Sequence, residues 1–298
     1  MRVLVTGSGG MLGSRIVSTL AKDKKLIVFA ATSHYANDKQ MGFSELQASS
    51  ISNSLAVELL ALNKIDLLIN CAFPRDNKGS SLVKGLEFTS SLFASVKNNC
   101  SVINISSQSV YSQTKYEPAV ESDVICPQTS YGIAKYTTEL MLERFCKCSQ
   151  YTNIRLASLL APGFDARFVN KMIEIGCLSG NIQISGPNNI FGFMSVKDAA
   201  EAVCKMALTA KSTEWHPIYN LGPTEKGISL KCIGDEICTQ IVRKGYPCTI
   251  KNCITGQYET NSSLDSNLFY QDFNWHPKQD ISCIISEIID YCVSRGNK

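Results

Sequence analysis

The chain has 298 residues, 44% of them hydrophobic and 18% charged, with a formal net charge of +3. That balance excludes a disordered, collagen-like or coiled-coil chain. At this length folding hides roughly three quarters of the unfolded surface, so apolar burial alone can hold one large domain or two lobes.

Short aliphatic and β-branched runs alternate with amphipathic stretches along the first half. Strands are predicted over 2–5, 26–30, 65–70, 101–105 and 153–156, and helices over 11–22, 54–62, 82–98 and 130–148. A repeated strand, helix, strand order needs right-handed crossovers, hence a parallel sheet covered on both faces, with ligands at the carboxyl ends of its strands. Beyond Pro162 proline and glycine loosen the pattern, leaving one clear helix over 196–209 and a short strand over 218–221.

Thirteen cysteines are scattered through the chain. An odd count without paired short spacings reads as reduced thiols of a cytoplasmic protein, not as a disulfide framework. A zinc site would want paired cysteines or Cys/His clusters, yet the nearest pair is Cys146 and Cys148, and His34, His216 and His276 stand far apart, so no metal is expected. No window reaches about 18 apolar residues, and the opening apolar run stops at Gly7, too early for a signal peptide. No membrane partner is expected. The mild charge, without a basic stripe or an RNA-binding aromatic motif, gives no support for nucleic acid either.

Thr6-Gly7-Ser8-Gly9-Gly10-Met11-Leu12-Gly13 follows the first predicted strand directly and opens the first predicted helix. A lone glycine pattern would be a plain turn; this context makes it a candidate dinucleotide cradle. Gly7 permits a tight turn, Gly10 lets a pyrophosphate approach the backbone, and Gly13 lets helix pack close to strand. The N–H groups at the helix start, with Met11 and Leu12, supply the positive end.

Tyr131 and Lys135 are four residues apart at the start of a long predicted helix, on one face and about 6 Å apart along the axis. A cation beside a phenol favours phenolate and brings its pKa down toward a value useful for proton transfer. Alone, such a pair is usually a surface contact. Here the run Ser106-Ser107-Gln108-Ser109-Val110-Tyr111 follows the fourth predicted strand and puts a serine hydroxyl on the same rim as the glycine turn.

The order TGxxGxxG, SSxxVY, YxxxK resembles the extended short-chain dehydrogenase/reductase family of the NAD-dependent epimerase/dehydratase type, in particular nucleotide-sugar epimerases and reductases. The later segments Ile154-Arg155-Leu156, Ala161-Pro162-Gly163, Met194-Ser195-Val196-Lys197-Asp198, Tyr219-Asn220-Leu221-Gly222 and Phe273-Asn274-Trp275-His276-Pro277 support the likeness. The fold class it implies is α/β: a Rossmann-type doubly wound parallel sheet with a smaller C-terminal substrate-binding lobe. The dinucleotide-binding domain would cover 1–161 plus about 190–222, and the substrate lobe about 162–189 plus 223–298. By the same resemblance Ser107 would hold the substrate oxygen, Tyr131 would give or take its proton, and Lys135 would bind the nicotinamide ribose. Gly7, Gly10, Met11, Leu12, Gly13 and Ala72 would line the cofactor with them. Dehydratases of the family carry a threonine followed by an acidic pair where this chain has Ser107-Gln108-Ser109, so that reaction is disfavoured.

Two departures qualify the expectation. The second strand ends Phe29-Ala30-Ala31-Thr32-Ser33-His34, without the carboxylate that would hold a bare adenosine ribose. NADP is therefore slightly favoured over NAD, with Ser33, His34 or Lys39 as contacts, while a ribose held by backbone and water stays open. The arginines with which many family members clamp a diphosphate are missing from 189–193 and 258–265; Arg167, or Lys171, is the candidate replacement. Phe73 and Arg75 border the expected pocket as further candidate substrate contacts.

The reaction expected is hydride transfer at a sugar carbonyl or carbinol, the substrate a small molecule, a nucleotide sugar by resemblance. A reductase of a non-nucleotide ketone, with Phe164, Phe168, Ile190, Phe191 and Phe193 lining an apolar pocket, and a non-catalytic NAD(P)-binding regulatory subunit are the alternatives. A homodimer through the helices at 82–98 and 130–148 is compatible with the family.

Overall fold

A computed structural model describes residues 1–33, 48–74, 79–114, 116–164, 167–253 and 259–296. The chain begins β1 (Arg2–Thr6), α1 (Met11–Leu20), β2 (Ile27–Thr32), β3 (Ala48–Ser52), α2 (Asn53–Ala61), β4 (Leu67–Asn70), α3 (Gly79–Ala94) and β5 (Ser101–Ile105). After a 3₁₀ turn at Gln108–Val110 come α4 (Ser130–Phe145), β6 (Tyr151–Leu156), β7 (Ser158–Leu160), α5 (Phe168–Ser179) and β8 (Asn181–Ser185). Then follow β9 (Ile190–Phe191), β10 (Phe193–Ser195), α6 (Val196–Leu208), β11 (Ile218–Leu221), β12 (Ile228–Ser229) and α7 (Leu230–Arg243). The chain closes with β13 (Thr249–Cys253), β14 (Asn261–Ser262), α8 (Asn267–Phe273) and α9 (Ile281–Gly296).

Seven strands form one sheet in the order β11-β6-β5-β4-β1-β2-β3, every neighbouring pair parallel. The expected α/β Rossmann-type doubly wound sheet is therefore the observed one. β1 runs out to β2 and β3 on one side, and the chain then returns to place β4 on the other. The crevice at the carboxyl ends of β1 and β4 is the switch point where ligands of such sheets bind.

Apolar side chains fill both faces. Ile16 and Val17 of α1 and Ala199, Val203 and Met206 of α6 pack on one, and Leu60, Leu92, Phe93 and Leu142 of α2, α3 and α4 on the other. A separate apolar cluster joins α5, α7 and α9 over β8, centred on Ile173, Ile184, Ile237 and Ile285. The strands β1, β4, β5 and β6 are also tied by a buried polar row. Thr6 donates to Asn70 at 2.7 Å, Asn70 to Asn104 at 3.0 Å, and Asn104 to Asn153 at 2.8 Å. Those residues are register partners. A one-residue slip would orphan each buried amide at about 1–3 kcal/mol apiece, so the row fixes which strand ends stand level.

The sequence reading missed β3, the helices α5, α7, α8 and α9 and the short strands β7–β10 and β12–β14, and ran α3 and α4 three or four residues too far. No helix among the described residues is long and apolar enough to cross a membrane. The twelve cysteines whose side chains are described form no disulfide with one another.

Candidate active site

The glycine turn lies at the switch point because β1 ends there. Gly7 has φ +66°, and a β-carbon on it would stand 2.7 Å from backbone atoms of both Cys71 and Ala72, so the turn is wedged against the end of β4. A β-carbon at Gly13 would stand 2.3 Å from the Gly7 carbonyl oxygen, which brings α1 down onto the turn. Gly10 precedes α1, and no side chain caps the helix start. The first-turn amides of Met11, Leu12 and Gly13 consequently present the positive helix end at the rim. This cradle, which β-carbons would fill, fits the pyrophosphate of a dinucleotide.

Ser8 reaches from the turn to β2, its amide 3.1 Å and its hydroxyl 2.9 Å from the Ala31 carbonyl oxygen. Ser33, directly after β2, is therefore near the glycine turn and exposed, and no carboxylate stands at 31–33. His34, Lys39 and Arg75 lie outside the described residues.

β5 delivers Ile105, Ser106 and Ser107 to the same rim. Thr129 caps α4 by accepting the Gly132 amide at 3.0 Å. A β-carbon at Gly132 would sit 2.2 Å from the Ser109 carbonyl oxygen, so the helix start rests directly on the 3₁₀ turn. Three consecutive residues of the strand end then each face one side chain of α4. Lys135 Nζ donates to the Ile105 carbonyl at 2.8 Å. Ser106 donates to the Glu139 carboxylate, and the Ser107 hydroxyl faces the Tyr131 phenol, which it acts to lower. Ser107 Oγ also accepts the Ser109 amide at 3.2 Å, which fixes its rotamer.

Lys135 is only 5% exposed. Burial pushes its ammonium down to about 8, against the pull of Cys71 and Glu139. Its Nζ stands 4.2 Å from the centroid of the Phe73 ring, which meets the Tyr131 ring edge-on at 5.6 Å. Tyr131 is half-buried. Burial pushes that phenol up from its ordinary value, opposed first by the charge of Arg167 and then by Ser107.

The Lys135 ammonium stands 6.0 Å from the Tyr131 ring centroid. The ammonium is turned to the Ile105 carbonyl and the Phe73 face, and the cation that acts on Tyr131 is Arg167. Arg167 is exposed, directly before α5, with Cζ 5.1 Å from the Phe164 ring centroid. The structure accordingly gathers Ser107, Tyr131, Lys135, Phe73 and Arg167 around one rim.

A buried network behind this rim went unread in the sequence. Arg155 pairs with Glu139 at 2.8 Å, and donates to the Tyr111 hydroxyl at 2.8 Å, which in turn donates to Asn220 at 2.9 Å. Burial pushes the Tyr111 phenol up to about 12, so it stays a neutral donor. The available signal was Arg155 itself, a charge in the middle of an apolar strand.

The sequence profile of the NAD dependent epimerase/dehydratase family matches residues 3–222. The chain belongs to that family. Its members are enzymes, and the profile spans every element of the rim described above except the lobe beyond β11. No curated protein sequence matches the chain. Among solved structures, UDP-glucuronic acid 4-epimerase from Bacillus cereus, in complex with UDP-4-deoxy-4-fluoro-glucuronic acid and NAD, is 17% identical with a TM-score of 0.81, covering 99% of this chain and 100% of that one. UDP-glucose 4-epimerase from Thermotoga maritima is 18% identical with a TM-score of 0.78 over 100% of both chains. dTDP-glucose 4,6-dehydratase from Bacillus anthracis is 14% identical with a TM-score of 0.79 over 100% of this chain and 98% of that one. Likeness at these identities shows the epimerase/dehydratase fold over the whole chain.

An aromatic stack spans β9 and β10. Phe191 and Phe193 stack at 5.5 Å, and Phe168, 42% exposed, lies 5.2 Å from Phe191.

Proposed function

We propose that this protein is a nicotinamide-dependent epimerase or reductase of a nucleotide-activated sugar, with Ser107, Tyr131 and Lys135 as its catalytic residues. The observation that carries the reading is the meeting of Ser107, from the end of β5, with Tyr131, from the start of α4, at the switch-point rim, where Ser107 acts to lower the phenol, with Lys135 one helical turn further along. The nicotinamide, when bound, supplies a hydride acceptor or donor. Ser107 holds the substrate oxygen and Tyr131 moves the proton at that oxygen. Lys135 binds the ribose hydroxyls, while Gly7, Gly10, Met11, Leu12 and Gly13 hold the pyrophosphate. Ala72 borders the nicotinamide half and Ser33 the adenosine ribose.

The family is NAD dependent, and the absence of a carboxylate after β2 slightly favours NADP for this member. Phe73 and Arg167 contact the substrate, Arg167 supplying positive charge toward a diphosphate. The lobe built on α5, α7 and α9 is the substrate-binding one. A second copy packs on α3 and α4, where Val83, Ile133 and Leu140 are exposed. Cysteines free of disulfides suit a cytoplasmic location.

The exposed ring of Phe168 beside Phe191 favours one second reading, a reductase of an apolar, non-nucleotide ketone. The two separate in one experiment. Purified protein is given NAD or NADP and a panel of UDP-, dTDP- and GDP-sugars and apolar ketones, and free UDP, dTDP and GDP are tested as inhibitors. Turnover of a nucleotide sugar with inhibition by its free diphosphate supports the proposal. Turnover of ketones alone, insensitive to free diphosphates, contradicts it.

A further inference from the structure

Glu139 is the only described side chain bonded both to the residue before Ser107 and to the buried core behind it. It lies on α4 four residues after Lys135 and eight after Tyr131, so all three share one helix face. Its Oε1 accepts Ser106 Oγ and Arg155 Nε, the latter at 3.1 Å; Oε2 accepts Arg155 Nε at 3.3 Å and Nη2 at 2.8 Å. Glu139, Arg155 and Ser106 are 4%, 2% and 3% exposed. Arg155 carries the chain onward to the Glu121 carbonyl at 3.3 Å and to Tyr111, and Tyr111 to Asn220 on β11.

A buried ion pair is weak evidence for stability, because the desolvation of both charges offsets their attraction. Its effect on geometry is stronger. A bidentate fork with a third donor admits one orientation of the carboxylate, and that orientation sets the register of α4 against the end of β5. The register in turn decides how far Tyr131 stands from Ser107.

We propose that Glu139 is a positioning residue, locked by Arg155 and Ser106, that holds the Tyr131 and Lys135 face of α4 in catalytic register with Ser107. This rests on the reading of Ser107, Tyr131 and Lys135 as the catalytic set. Its charge has a second consequence at Lys135. The groups facing that ammonium are Cys71 from β4, Glu139 on its own helix, the rings of Phe73 and Tyr131, and the Ile105 carbonyl. Glu139 is the carboxylate among them, and it favours the charged form of Lys135.

The test uses the full-length enzyme with its cofactor and the nucleotide sugar it turns over. Glu139→Asp keeps the charge but is one methylene too short to reach both Ser106 and Arg155. It is expected to lower kcat about 10- to 100-fold with KM for sugar and cofactor nearly unchanged, as misplacement of a reacting group does. Glu139→Gln keeps the shape and loses the charge, and the alkaline limb of its kcat profile moves to lower pH as Lys135 deprotonates earlier. If the uncompensated Arg155 prevents folding, Glu139→Gln with Arg155→Met removes both charges and is read in the same way. Folded variants with kcat within about twofold of wild type and an unmoved alkaline limb overturn the proposal. Tyr131→Phe is run alongside. If it is inactive while the Glu139 variants behave as wild type, only this inference fails; if it is fully active, the catalytic set itself is wrong.

Discussion

Arg167 holds the Tyr131 phenol down from the head of α5, where it is the largest influence opposing burial. The relationship links the start of α4 to the residue directly before α5, two helices separated in the chain by β6 and β7. Removing the charge leaves only Ser107 to oppose burial, so the phenol of Arg167→Gln lies higher than in the wild type. Where Tyr131 acts as the base, the acid limb of the rate profile then shifts to higher pH and kcat at neutral pH falls. Arg167 is exposed, so raised salt should weaken its influence and shift the wild type in the same direction. A pH profile of Arg167→Gln that overlays the wild type refutes this role.

Gly132→Ala tests how closely α4 rests on the 3₁₀ turn. The added methyl would meet the Ser109 carbonyl oxygen at 2.2 Å, a backbone atom with no side-chain freedom to yield. Overpacking of this kind costs about 1–3 kcal/mol, and here it also lifts Tyr131 from Ser107. Thermal denaturation should show a lower Tm, with kcat reduced and dinucleotide affinity, measured by calorimetry, unchanged. Loss of dinucleotide binding instead would mean that the helix start serves the cradle and not the catalytic register.

The glycine turn, the strand ends and the Ser/Tyr/Lys order were legible because each depends on residues close in sequence. β3 was not, because its run Ala48-Ser49-Ser50-Ile51-Ser52 is polar and places only Ile51 in the core. α5 and α7 each carry a glycine in mid-helix, at 176 and 234. Both are close-packing points: β-carbons there would meet Ile241 Cδ1 at 2.8 Å and Ile184 Cδ1 at 2.2 Å. Glu139 was hidden for another reason. A glutamate on a helix reads as solvent-facing, and its partner Arg155 stands on another element, so only the folded chain brings the pair together.

Lys135 is expected to be a stability liability kept for function. Its folded value of about 8 lies below the ordinary 10.5, so the protein carries the full penalty below about 8 and sheds it as pH rises toward 10.5. Lys135→Met should therefore gain about 1–3 kcal/mol at neutral pH, reduced by the lost bond to Ile105, while abolishing turnover. Denaturant melts at neutral and alkaline pH check both signs. A variant less stable than wild type at neutral pH would show that the ammonium's contacts outweigh its burial.

Ser33 offers a test of cofactor choice. Ser33→Asp places a carboxylate after β2, where it can accept the ribose hydroxyls and would repel a 2′-phosphate. The ratio of NAD to NADP affinity should rise about tenfold or more, one charge contact being worth about 1.4 kcal/mol. An unchanged ratio would move the adenosine ribose away from the end of β2.

Most depends on Tyr131, beside Ser107, moving the proton at the substrate oxygen. The most direct measurement is turnover of the identified nucleotide sugar by Tyr131→Phe, with dinucleotide binding measured on the same sample. The account predicts binding as in the wild type and a kcat lower by about 10²- to 10⁴-fold. Binding retained together with turnover near the wild-type rate would contradict it.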